Sequence, residues 1–220
     1  MEKEKFQEGM NQLDSIIKDL KKIKSCIQKL DKNYKNNYIH VSNEKIKIEE
    51  ILNKNNDKES WLSRDTYYNP KGLWFSCGSD WYKWLISIRE YDSDWLKFKY
   101  TYNIIIDKSN ILHIKKIDEL IKFHNRYAKF KNNHYSIDWN KVKKDYDGII
   151  ICPYLGFKIW NENPTQFFID NSSEKYILLT VGKNIKKYPA FFLEWYRHWE
   201  TGTGVIWRKK AIKKLELIKL

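Results

Sequence analysis

The sequence predicts an α+β fold: a long N-terminal amphipathic helix followed by a mixed or antiparallel sheet of short strands. Three observations predict it. Apolar residues in the first 35 positions recur every three or four residues, which is the helical period. From position 38 the texture changes to short β-branched and aromatic runs bounded by Asn, Asp, Gly and Pro. Few helix-length stretches separate those runs, so the regular strand–helix alternation of a parallel sheet is missing.

Phe6, Met10, Leu13, Ile17, Leu20, Ile23, Ile27 and Leu30 form one stripe of the first helix. The stripe suits a helix laid on the domain, one arm of a helical pair, or a short coiled coil through which two chains self-associate. Asp31 to Asn37 ends it with turn-forming residues. Tyr38–Ser42 is a β-branched strand, and Ile46, Ile48, Ile51 and Leu52 suit a short helix before the polar loop 53–60. Asn69-Pro70-Lys71-Gly72 is a turn that delivers the strand Leu73–Ser76, and Asp80 is placed to cap a helix through Trp81, Trp84, Leu85 and Ile88. Strands follow over 98–107 and 111–114, then a helix over 116–130. A helical turn at Val142 and strands at 149–151, 174–181 and 204–207 complete the set. These boundaries give a helix over 1–36, a domain over 37–212 and a short tail over 213–220.

Of 220 residues, 42% are apolar and 16% aromatic, enough to bury a core and to exclude wholesale disorder. The formal net charge of +13 comes from 36 Lys and five Arg against 28 acidic residues. Arg supplies the planar fork that grips phosphates and base edges, so this excess of Lys reads first as a solvated surface. Cys26, Cys77 and Cys152 are odd in number, form no CxxC and share no metal-ligand spacing with His, which fits a reducing interior and predicts no metal site. There is no N-terminal apolar core of a signal peptide and no apolar run near 18 residues, so the expectation is a cytoplasmic protein, or one delivered to a host cytoplasm, without a membrane span.

GxGxxG, Walker, GxSxG and HExxH signatures are absent. Polar and aromatic residues at strand edges remain. His40 and Ser42, two apart on one strand, share a face and can hold a sugar hydroxyl and an amide. Trp74, in Gly72-Leu73-Trp74-Phe75-Ser76, and Trp81-Tyr82 supply rings able to clamp a flat heterocycle, although most such rings pack cores. Glu200 stands among aromatic residues where Gly202 and Gly204 lead into a strand, a setting that strengthens a carboxylate's field at a developing cation.

Read in order, Ile39-His40-Val41-Ser42, Gly72–Ser76, Asp145-Tyr146-Asp147-Gly148-Ile149 and Trp199-Glu200 through Trp207 resemble the ADP-ribosyltransferase fold of the His-Tyr-Glu kind, the diphtheria-toxin and poly-ADP-ribose-polymerase branch. The resemblance spans about residues 38–210. It implies a split-sheet core and a mono-ADP-ribosyltransferase, a glycosyltransferase with NAD as co-substrate. His40 would hold ribose hydroxyls and Ser42 the nicotinamide amide. Gly72, Trp74 and Ser76 would lie along the cofactor, and Trp81 or Tyr82 would stack on nicotinamide. Glu200, with Glu194 as its rival, would stabilise the ribosyl cation. A protein is the acceptor it implies, with nucleic acid as a second. The alternative is a non-catalytic module binding nucleic acid through its charge and rings, or another protein.

Overall fold

The computed structural model describes residues 2–46, 70–87, 98–131, 134–156, 159, 168–169, 175–181, 183–189 and 191–219. The predicted helix over Ile46, Ile48, Ile51 and Leu52 lies, apart from Ile46, outside the described residues, as does the polar loop 53–60. The chain runs α1 (Glu2–Asn33), β1 (Tyr38–Ser42), β2 (Leu73–Cys77), α2 (Asp80–Ser87), β3 (Tyr100–Ile106), β4 (Ile111–Ile114), α3 (Ile117–Tyr127), β5 (Ala128–Lys131) and β6 (His134–Ile137). It continues with α4 (Trp139–Asp145), β7 (Gly148–Ile151), β8 (Phe168–Ile169), β9 (Lys175–Val181), β10 (Asn184–Pro189), α5 (Glu194–Arg197), β11 (Thr203–Ile206) and β12 (Ile212–Ile218). The fold is α+β.

Seven strands form the main sheet in the order β12-β3-β1-β2-β11-β7-β4, with β8–β10 and β5–β6 as smaller sheets. Neighbours in the main sheet are antiparallel except β4 and β7, which run parallel. The predicted tail is in fact an edge strand. β12 pairs with β3 from Ile212 to Ile218, and a register shift between Ile212 and Lys214 breaks the alternation that would have marked it as a strand. The predicted helix over 116–130 stops at Tyr127, because Ala128–Lys131 leaves it in extended conformation to pair with His134–Ile137.

Alternation along the strands divides the core between the two sheet faces. On one face Leu73, Phe75, Tyr102, Ile104, Ile150, Ile206 and Leu215 cluster, with Tyr38, Cys77 and Cys152 packed against them. On the other, α1 and α2 bury Ile23, Cys26, Leu30 and Tyr82 against Ile39 and Ile218. Over β7 and β11 on that face sits a cluster rich in rings, including Phe123, Trp139, Trp195, Tyr196 and Trp199. There Trp195 donates its indole N–H to His124 Nδ1 at 3.1 Å. Burial holds the His124 pKa down at about 4, so the ring is a neutral acceptor.

β11 lies so close to its neighbours that side chains are excluded at several points. A Cβ on Gly72 would meet Val205 and the Ile206 carbonyl, one on Gly148 the Val205 carbonyl at 2.7 Å, and one on Gly204 the Phe75 ring at 2.5 Å and the Ile149 carbonyl at 2.8 Å. Asp147, buried ahead of β7, fixes the far end of β11: it pairs with Arg208 at 3.2 Å and Lys210 at 2.9 Å, while its carbonyl accepts from the Trp207 and Arg208 amides. The near end is spanned by a Cys77–Cys152 disulfide with Cα atoms 6.5 Å apart. This corrects the expectation of three separate thiols. The two cysteines are 75 residues apart in sequence, but Cys77 ends β2 and Cys152 directly follows β7, the two strands that flank β11, and only Cys26 is free among the described residues.

Overpacking at such a contact costs roughly 1–3 kcal/mol. Gly204→Ala should lower the stability measured by urea unfolding by about that amount, whereas Gly9→Ala, in open space on α1, should raise it.

Candidate functional site

β1 and β2 pair only through Tyr38–Cys77 and Ile39–Ser76. Beyond that point the Trp74 carbonyl is met by a side chain instead of a backbone amide: His40 Nδ1 lies 2.6 Å from it. A carbonyl only accepts, so Nδ1 carries the proton and Nε2 presents a lone pair. Burial lowers the His40 pKa against the opposing effect of that hydrogen bond, which keeps the half-buried ring neutral at pH 7. Ser42 shares the His40 face, as its spacing predicted, and its Oγ accepts from the Glu44 amide at 3.1 Å, leaving the hydroxyl proton to donate.

The other predicted cofactor contacts have different surroundings. Trp74 projects to the opposite face from His40, where its ring meets Trp199 edge-on at 5.0 Å. Ser76 is buried and its hydroxyl lies 3.2 Å from the Gly78 carbonyl and 3.4 Å from that of Ile39. Gly72 is held against β11. Tyr82 is buried beneath α1 with its hydroxyl 2.9 Å from Thr101 Oγ1, and burial pushes its pKa up to about 12. Gly72, Ser76 and Tyr82 are thus each engaged with the fold itself, through close packing or internal hydrogen bonds. The Trp81 ring lies tilted against that of Trp84 at 5.0 Å, and its buried indole N–H has no acceptor among the described residues.

Glu200 is exposed and holds φ at 52°, the left-handed region, at the centre of a tight turn closed by the Thr201 amide on the Trp199 carbonyl at 2.6 Å. A non-glycine residue there carries about 1–3 kcal/mol of strain, and residues so strained concentrate at functional sites. Glu194 is half-buried on α5, 4.0 Å from Arg197. The register sets Thr203 level with Ser76 and Ser76 level with Ile39, so the Glu200 turn lies past the Cys77 end of β2 while His40 lies toward its middle. No direct bond joins the two among the described residues.

At that end of the sheet opens a cleft of about 540 Å3, lined by residues of the α1–β1 turn, the β2–α2 turn and the Cys152–Pro153 link. This size falls within the roughly 300–1,000 Å3 of ligand sites. Tyr38 and Cys77 line it on the sheet face that carries His40. Gly202, two residues after Glu200, passes beneath the Asp80 carboxylate, and its carbonyl accepts from the Cys77 amide, so the Glu200 turn borders the cleft. Asp31 accepts from Ser79 at 2.5 Å and Lys83 at 3.1 Å; burial raises its pKa, but these partners outweigh it and the net shift is downward. Asp80 is different. Burial raises its pKa, Lys83 counteracting and Asp31 adding, and no hydrogen-bond donor meets it among the described residues. Lys35 and Lys83 supply the cleft's positive charge.

Sequence reasoning missed this cleft. Asp31 and Lys35 read as helix-ending residues and Asp80 as a cap, whereas Ser79 precedes the helix and spends its hydroxyl on Asp31. Among the described residues no group of three or more His, Cys, Asp or Glu stands together to hold a metal, and no helix is long and apolar enough to cross a membrane. Comparison with protein-family models, with curated proteins and with solved structures finds no match for this chain. The arrangement combines a neutral imidazole acceptor, a hydroxyl donor, two ammonium groups beside a cleft, and a carboxylate on a strained turn at its edge.

Two predictions follow from these surroundings. Because the Asp80 pKa is raised in the folded state, its ionisation weakens folding as pH rises through and above the ordinary aspartate range. Asp80→Asn should therefore raise the urea midpoint at pH 7, with the gain vanishing toward pH 3. Glu200→Gly should leave stability unchanged or raise it by up to about 1 kcal/mol, since glycine adopts positive φ without strain; a loss like that of an ordinary surface residue changed to Gly would show the turn is unstrained.

Proposed function

We propose that the protein transfers ADP-ribose from NAD to a macromolecular acceptor, most directly a protein side chain, with release of nicotinamide. The observation that carries this reading is the order of strands. The four sequence motifs that resemble the ADP-ribosyltransferase pattern lie on β1, β2, β11 and β7, which are consecutive neighbours at the centre of the main sheet. Residues far apart in sequence are thus brought onto neighbouring strands, and a cleft of cofactor size opens at the Cys77 end of β2.

In this reading His40 Nε2 accepts a hydrogen bond from a ribose hydroxyl, as its neutral state and the Nδ1–Trp74 bond allow. Ser42 donates to the nicotinamide amide. Lys35 and Lys83 face the diphosphate. Glu200 binds the nicotinamide-ribose 2′-hydroxyl. The bond between C1′ and the nicotinamide nitrogen breaks with its electron pair leaving on nicotinamide, and the Glu200 carboxylate stabilises the positive ribosyl centre. The acceptor's nucleophile then bonds to C1′ and gives up its proton. A carboxylate that meets the ribosyl centre as its charge develops stabilises this transition state more than bound NAD, which is the condition for rate acceleration.

The test is nicotinamide release and transfer of label from labelled NAD to lysate proteins or nucleic acid. The wild type should release nicotinamide; Glu200→Gln should lower kcat at least about 100-fold, and His40→Ala should act mainly on KM. No release by the wild type, or equal release by Glu200→Gln, would leave the non-catalytic binding module as the better reading.

A further inference from the structure

The first half of α1 stands away from the domain. Ile23 and Leu30 are 6% and 0% exposed, yet earlier on the same stripe Phe6 is 71% and Leu13 48% exposed, with Met10, Ile16 and Ile17 also open. Five of the eleven exposed large hydrophobic residues described lie on this one arm.

We infer that this arm pairs with the same arm of a second copy of the chain as an antiparallel coiled coil. The spacing identifies the partner. Phe6, Met10, Leu13 and Ile17 are separated by four, three and four residues, a pattern that reads the same in both directions. A two-fold axis between residues 11 and 12 sets Phe6 against Ile17 and Met10 against Leu13 of the second copy, and each helix supplies the same seam. The flanking residues match in that orientation. Gly9 has nothing within 4 Å of where a Cβ would stand, and Ile16 of the second copy falls over that hollow. Asp14 faces Gln7 of the second copy, so the seam between Phe6 and Ile17 brings no like charges together. A glycine in a helix interior otherwise costs stability without return. The open apolar side chains of one arm amount to roughly 450 Å2, about 900 Å2 for a pair before the flanking polar stems are counted, which is below the roughly 1,200 Å2 of stable interfaces and in the range of weak, transient ones. The dimer is accordingly a concentration-dependent one.

Sedimentation equilibrium of the full chain from about 1 to 100 μM tests this. The apparent mass should rise from 26.8 kDa toward twice that value. Leu13→Glu should stay monomeric with an unchanged far-UV spectrum and thermal midpoint. Gly9→Leu should strengthen the isolated helix yet weaken dimerisation at least tenfold, an opposition that a structural role within one chain would not produce. Orientation is read by oxidative cross-linking. Phe6→Cys combined with Ile17→Cys should give a covalent dimer, whereas Phe6→Cys alone should not, since antiparallel Phe6 positions lie about 16 Å apart along the axis. A wild type that remains monomeric at the highest concentration overturns the inference, whether or not it binds vesicles or another protein. So does a Leu13→Glu protein that still dimerises, or ready cross-linking of Phe6→Cys alone.

Discussion

The seating of β11 between β2 and β7 is the constraint on which the rest of this structure depends. Its backbone approaches Gly72 and Gly148 too closely for a Cβ on either, and its own Gly204 lies against Phe75 and the Ile149 carbonyl. Three glycines from distant stretches of sequence answer one geometric demand. The Asp147 ion pairs hold one end of the strand, and the Cys77–Cys152 bridge spans its neighbours at the other. What sits at that second end inherits a fixed position. The Glu200 turn, the start of α2 and the walls of the cleft all join the sheet there.

This constraint also accounts for the strain at Glu200. β11 must begin at Thr203, level with Ser76 and Ile151, while Trp199 must stay buried in the aromatic cluster. Three residues between those two anchors leave little freedom, and the turn closes with Glu200 in the left-handed region. Glycine would be easier there, and two glycines follow within four residues. The carboxylate at the strained position, and the open cleft beside it, are the features that packing leaves unexplained. At the opposite side of β2, the early end of the β1–β2 ladder frees the Trp74 carbonyl to orient the His40 ring. The His40 ring and the Glu200 backbone are thus both set by main-chain geometry.

Much of the fold was legible because burial leaves a period in the sequence. The α1 stripe, the fully buried Gly148–Ile151 run and the alternation of Tyr100–Ile106 each declare their elements. β12 escaped because its register shift sets Lys213 and Lys214 side by side outside, and β10 because it buries almost nothing. The site was legible only in part. His40, Ser42 and Glu200 stand out because a polar group at a strand edge needs a reason. Gly72 and Ser76 belong to the same motif pattern and Tyr82 follows it, and each also meets a need of the fold. Sequence spacing cannot separate a residue that touches a ligand from one that shapes the strand carrying it. The cleft residues were invisible for a different reason: Asp31, Asp80 and Lys83 come together only when α1 and α2 pack side by side.

The Lys-rich surface acquires a place in this picture without becoming its basis. In the proposed function its charge bears on which acceptor approaches, while the transfer itself is assigned to a few uncharged or strained groups. The most direct measurement is a crystal structure of the Glu200→Gln protein with NAD. The account predicts the dinucleotide along the cleft, with the nicotinamide ribose within hydrogen-bond distance of residue 200 and a ribose hydroxyl on His40 Nε2. NAD absent at saturating concentration, or bound away from both residues, would contradict it.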